Sequence, residues 1–212
     1  MRAITLAPLS RTALFLLLGW GLGSAASAQA MSMSERRNCV PPPGGMLNVS
    51  EDSIGSLGID EELGRLRDLC VSARDTIVRL RVDVPNDYPG LAFHFDSLLV
   101  IALQYRGSSL DLRRPADVWM IFGGGGTIQH KVALSASWSS LRTALGMPQA
   151  NARGVLVVRF CSFPNAVMTL NADPRAVTTR GGRVDVTTIP ASATIHHLVI
   201  MTRSLASHLQ GC

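Results

Sequence analysis

The chain has 212 residues, of which 47% are hydrophobic and 17% charged, and a formal net charge of +5 at pH 7. That length fits one domain with a core of ordinary size, and the apolar content excludes a chain too polar to fold. The positive charge is almost all arginine and never runs beyond two residues in a row, unlike the concentrated basic face of a nucleic-acid binder, so no nucleic-acid partner is expected.

Residues 1–30 read as a cleaved secretory signal. Arg2 and Arg11 supply positive charge, Thr12–Gly23 (TALFLLLGWGLG) is the apolar stretch, and Ser24–Ala30 (SAASAQA) offers cleavage after Ala28 or Ala30. A spanning helix needs about 20 mostly apolar residues. This run is shorter, interrupted by glycine and followed by small residues, which favours removal over anchoring. No later stretch suits a spanning helix, so no transmembrane anchor is expected after cleavage. The mature chain would hold 184 or 182 residues and a charge of +3, because the signal carries two arginines and no acid. Its expected location is periplasmic or extracellular.

All four cysteines, Cys39, Cys70, Cys161 and Cys212, lie in the mature part. None has a second cysteine at the short spacing typical of zinc sites, whereas an even count in an exported chain predicts disulfides. The expected pairs are Cys39–Cys70, tethering the lead-in to a helix, and Cys161–Cys212, fastening the tail to a strand.

Residues 31–55 form a polar lead-in containing CVPPPGG, extended by three prolines and released by two glycines. A single β-rich domain, 56–212, follows. Its first element is a predicted helix over 56–70, where Ile59, Leu63, Leu66 and Cys70 share one face and Asp60 is placed to cap the start. From Thr76 the period changes to two: Val78, Leu80, Val82 and Val84 share one side of a strand over 76–84. PNDYPG (85–90) reads as a turn. Further strands are expected at 97–106, 117–122, 154–163, 166–170 and 193–203, with the first two of these covered on both faces. A Gly-Gly pair inside 176–189 predicts a hairpin. Short helices are expected at 137–146 and 204–210. The sum is a mainly β (α+β) fold: an antiparallel β-sandwich-like or curved sheet of about eight strands, with an N-terminal helix and short C-terminal helical segments.

The four glycines at 123–126 raise a nucleotide reading, which fails. The G-x4-G-K-[ST] frame from Gly123 meets Ile128 where glycine is needed, and from Gly126 it meets Lys131. G-x-G-x-x-G fails from Gly123 at Ile128 and from Gly124 at Gln129. The alternation of Ile128, Val132, Leu134 and Ala136 with polar residues makes the following segment a strand, so the glycines are expected to form a hairpin loop. Lys131 is then a solvated side chain. No cofactor, nucleotide or metal is expected.

Catalytic patterns do not converge either. No serine sits in a G-x-S-x-G frame. His94 and Asp96 would share a strand face, and His130 lies beside the glycine run; these three are weak site candidates. Asp111 and Asp117 bracket LRRPA and read as a solvated turn. His196 and His197 are adjacent, and strand alternation places them on opposite faces, unable to share an ion. The expected function is that of an exported, non-catalytic β-rich protein binding a protein, a glycan or another envelope component. The alternative is a periplasmic hydrolase or lyase whose site assembles only in three dimensions.

Overall fold

The structure, a computed structural model, describes residues 47–70, 73–81, 85–95, 98–105, 107–153, 155–180 and 183–206. Cys39, Cys212 and Asp96 lie outside the described residues, as do residues 1–46 with the whole predicted signal. The chain opens with three two-residue strands, β1 (Asn48–Val49), β2 (Ser53–Ile54) and β3 (Leu57–Gly58), and a helix, α1 (Leu63–Leu69). Four longer strands follow: β4 (Ala73–Arg81), β5 (Pro85–Phe95), β6 (Leu98–Leu103) and β7 (Val118–Gly123). Short β8 (Thr127–Ile128) and β9 (Val132–Ala133) lead to helix α2 (Trp138–Leu145). Then come β10 (Pro148–Arg153), β11 (Val155–Phe160), β12 (Ala166–Leu170), the short β13 (Thr179–Arg180) and β14 (Arg183–Val184), β15 (Ile195–Met201) and α3 (Arg203–Ala206).

The fold is mainly β, as expected. Eight strands form one antiparallel sheet in the order β10-β11-β12-β15-β7-β6-β5-β4, and five short ones form a second in the order β3-β2-β1-β8-β9. Burial explains the layering. One face of the large sheet (Leu91, Phe93, Val100, Trp119, Leu156, Leu198) packs with Val49, Ile54, Leu63, Leu66 and Leu141 from the small sheet and helices in one core. This inner layer sequesters two tryptophans whose indole N–H groups must find acceptors. Trp119 donates to the Ile59 carbonyl at 3.4 Å and Trp138 to the Val186 carbonyl at 3.3 Å. The opposite, outer face carries Ala92, Ile101, Met120 and Met201 with half-buried Leu99, Phe122, Val167 and Val199, and Leu205 and Ala206 of α3 pack on part of it.

A buried amide holds the long β6–β7 connection. Gln104 is fully buried, and its side-chain NH2 donates to the carbonyls of Asp111 (2.8 Å), Pro115 (3.2 Å) and Arg114 (3.3 Å). Its side-chain oxygen accepts from the Asp111 N–H at 2.9 Å. An apolar residue here would strand those loop carbonyls. The same loop completes α1: Leu63 and Gly64 donate their N–H groups to the Arg114 and Leu112 carbonyls at 3.1 and 2.8 Å.

Four sequence expectations are corrected. The first helix starts at Leu63, not near 56, and has no side-chain cap. Residues 57–58 pair instead with 53–54 in the small sheet, and loop carbonyls take over the capping that Asp60 was expected to do. Second, PNDYPG is strand, not turn, because β5 begins at Pro85 and pairs with β4 along its length. Pro89 sits just past the end of the β5–β6 ladder, where its carbonyl accepts from Gln104 N–H at 3.0 Å. Third, the glycine run is no hairpin: it carries the chain from β7 in the large sheet to β8 in the small one. The short hairpin lies beyond it, where β8 pairs with β9 across Gln129 and His130, both with positive φ (51° and 56°). Fourth, β10 was not anticipated; Pro148–Arg153 forms an edge strand on β11. Other expectations hold. Helix α2 is capped by the Ser137 side chain accepting from Ser140 N–H and stops at Gly146, whose φ is 88°. The 176–189 hairpin pairs Thr179 with Val184.

Glycine is required in the run at one position above the others. Gly126 has φ of 145°, and a Cβ there would lie 2.5 Å from the Leu47 carbonyl oxygen. At Gly124 a Cβ would meet only Ser135 Cβ, at 3.2 Å. Gly126→Ala is therefore expected to destabilise by about 1–3 kcal/mol and Gly124→Ala by about 1 kcal/mol or less. Urea unfolding of both variants checks the order, and equal midpoints would contradict this assignment. Leu198, on β15 with no exposed surface, gives a second check: Leu198→Ala should cost about 2–5 kcal/mol, read from the same melts.

Candidate functional site

Pairing across the outer face lays out one transverse row: His94, Leu99, Phe122, His197, Thr169 and Val157. His94 is exposed and lies three strand spacings of about 4.8 Å each from His197, too far for the two to share a ligand atom. His130 is also exposed, in the β8–β9 turn, with its backbone N–H donating to the Asn48 side chain at 2.7 Å. The structure thus does not bring the weak candidates His94 and His130 together, and Asp96 is outside the described residues.

What it does bring together is the adjacent pair that strand alternation had separated. Thr169 faces His197, yet the next residue, Leu170, faces Ile195, so His196 is an extra residue at a β-bulge. A bulge re-aims side chains. The two imidazole ring centroids lie 5.3 Å apart at 71°, a separation that side chains on opposite faces of a sheet do not reach. The regular alternation expected of the strand is therefore interrupted here, while one histidine is buried and the other exposed.

His197 is 5% exposed, stacked against Phe122 at 5.5 Å, with Nε2 3.1 Å from the Thr169 hydroxyl oxygen. Its Nδ1 is buried with no hydrogen-bond partner. His196 is exposed and lines a depression of about 200 Å³ together with Gly123, Gly124, Ser135, Asn171 and Thr194. The glycine run thus forms a wall of the same corner. The segment entering it is held by the Thr194 carbonyl accepting from Asn171 N–H at 2.8 Å and by the Ala193 carbonyl accepting from Trp138 N–H at 2.6 Å. Among the described residues no three His, Cys, Asp or Glu side chains converge. A larger hollow of about 500 Å³ lies between α1 and the loop after Leu110, lined by Glu62, Arg65, Asp68 and Arg113 among others; it holds no histidine.

A hydroxyl bonded to an imidazole resembles half of a hydrolytic triad, but among the described residues no third group completes it. A general base needs a third group to hold its tautomer, and His197 Nδ1 has no such partner. Thr169 itself is only 6% exposed. Burial, and in second place the charge of His196, pull the His197 imidazole down to about 4, too weak for a base at neutral pH. Elsewhere on this face burial, reinforced by Tyr88 and Asp117, pushes the Tyr105 phenol up to about 12.

Neither Cys70 nor Cys161 is a free thiol: both are disulfide-bonded. Cys70 is buried at the end of α1, facing the core as its helical position predicts, and Cys161 is exposed just after β11. Among the described residues no helix is long and apolar enough to cross a membrane. Compared with known proteins, the chain matches no family model, no curated protein and no solved structure.

The His197 environment predicts a pH dependence. An unfolded imidazole titrates near about 6.5, so between that pH and about 4 the unfolded chain binds the extra proton. Stability is therefore full above pH ~6.5 and falls as pH drops through the folded value, by up to roughly 3 kcal/mol. Denaturant titrations from pH 7 to 4 should show this fall in the wild type and a flatter profile in His197→Gln. Parallel profiles would rule His197 out as its source.

Proposed function

We propose that the protein is an exported, non-catalytic binding protein whose recognition site is the corner of the large sheet where His196 and His197 meet the glycine run. One observation carries the reading: the bulge in β15 sets the two imidazole rings 5.3 Å apart, and His196 lines a small depression edged by the polar groups of Ser135, Asn171 and Thr194. A bulge that redirects side chains next to a hollow is where sheet proteins place ligand contacts. Export is supported by the charge, apolar run and small-residue triplets of residues 1–30, and by the oxidised state of Cys70 and Cys161, which suits a compartment outside the cytosol. The same setting favours the pairs Cys39–Cys70 and Cys161–Cys212, each closing a loop long enough to add about 2–4 kcal/mol. The hydrolase reading rests on the Thr169–His197 contact and is the weaker one, for want of an orienting acid and an accessible hydroxyl.

Two measurements test this. N-terminal sequencing of protein from its own host should begin at Gln29 or Met31, and non-reducing peptide maps should show no free thiol; a mature chain starting at Met1 would remove the export claim. Against nitrophenyl esters the folded protein should be inert, and Thr169→Val should change nothing. Ester turnover that Thr169→Val abolishes would replace the binding reading with a hydrolase.

A further inference from the structure

We propose that two copies of this chain associate edge to edge through β4, joining their large sheets into one. This surface is separate from the histidine corner. The large sheet ends in β10 at one edge and β4 at the other. β10 opens with Pro148 and is flanked by β14 and the helical turn Val186–Thr188. β4 has nine residues and an unbroken one-to-one register with β5, so neither proline nor bulge blunts it. Its outward backbone groups can be assigned. Gln104 N–H donates to the Pro89 carbonyl, so Pro89 directs its backbone to β6, and alternation directs Tyr88 and Gly90 to β4. Their partners there are Val78 and Thr76. The N–H and C=O groups of Asp75, Ile77 and Arg79 therefore point away from the sheet, and among the described residues nothing bonds to them. Ala73, on the same side, donates its N–H to the Cys70 carbonyl at 3.0 Å, so the open edge begins just after it.

A second copy fits this edge because β4 is complementary to itself. Asp75, Ile77 and Arg79 share one face of the strand, and Ile77, 64% exposed, lies midway between the two charges. When Ile77 lies opposite Ile77 of the second copy in antiparallel pairing, each Asp75 falls opposite the other copy's Arg79. All three positions are then hydrogen-bonded pairs, which uses every outward group named above. Thr76 meets Val78 on the other face. Both charges have capacity left. Asp75 is in no ion pair among the described residues, and Arg79 gives Nε and Nη2 to Asp87 at 2.7 and 3.0 Å, keeping Nη1 available. The register is selected by the same residues. Centring the pairing on Asp75 or Arg79 would set like charges face to face, and centring it on Thr76 or Val78 would put Ile77 against a charge. Edge charges of one sign would repel a second copy; this pair attracts it.

The test is sedimentation velocity of the oxidised protein over a range of concentrations. Wild type should pass from monomer to dimer as concentration rises. Asp75→Arg and Arg79→Asp should each weaken association by about tenfold or more, because two opposite-charge pairs become like-charge pairs. Thermal melts check that each variant is folded; Asp75→Arg, at an exposed position outside the Arg79–Asp87 pair, stands as the test if Arg79→Asp is not. Mixed in equal amounts, the two single variants should form a heterodimer, since every charge then meets its opposite, and a chain carrying both substitutions should dimerise by itself. A wild type that stays monomeric, a dimer that Asp75→Arg leaves intact, or folded single variants that do not associate when mixed would each overturn the proposal. A monomer whose Ile77 amide is protected from hydrogen exchange would assign the edge to the chain's own residues 31–46 and overturn it as well. The export and corner readings are untouched by any of these results.

Discussion

The large sheet depends on the backbone hydrogen bonds made by both edges of β15. Strands β4 to β7 form one antiparallel meander and β10 to β12 another, and the segment that joins them runs through the small sheet and α2, outside the large sheet. β15 pairs with β12 on one side and β7 on the other, over Ala166–Leu170 and Val118–Phe122. Its inward residues Leu198 and Ile200 are fully buried against both halves. Without these two ladders, each meander would expose a long unpaired edge, which sheet proteins avoid. The bulge that brings His196 beside His197 lies in one of these ladders, so the site inherits its rigidity from the element that unifies the fold.

The covering layer is assembled from pieces far apart in sequence. β1 pairs in parallel with β8, aligning Asn48 with Thr127 and Val49 with Ile128. Helix α1, with seven residues, is too short to persist alone. It stands because Leu63 and Leu66 are buried and because the Gln104-anchored loop satisfies its first N–H groups. The polar latch and the apolar core thus stabilise the same element.

The long central strands were legible because an unbroken apolar run such as Leu98–Leu103 has few other destinations than a sheet covered on both faces. Helix α2 was legible because Ser137 and Gly146 mark its ends. Other elements were hidden by physics that periodicity does not carry. β10 reads Pro-Gln-Ala-Asn-Ala-Arg, poor in β-formers, and is a strand because β11 offers a pairing edge. The prolines of PNDYPG signal a turn unless one knows that β6 ends where the missing N–H falls. At the site, His196 and His197 were noticed but placed on opposite faces. A bulge is a register event between two strands, and its signature lies in the pairing of Thr169 and Leu170, which neither histidine encodes. The glycine run matches no nucleotide motif, but the change of sheet it makes could not be read from Gly123–Gly126 themselves.

The position of β15 in the chain also fixes the order in which the molecule can be completed. A ribosome releases the β4–β7 meander first and the β10–β12 meander next, and the strand that unites them follows both. Until then the two halves have no common hydrogen-bonded partner, and the growing polypeptide cannot close its principal sheet.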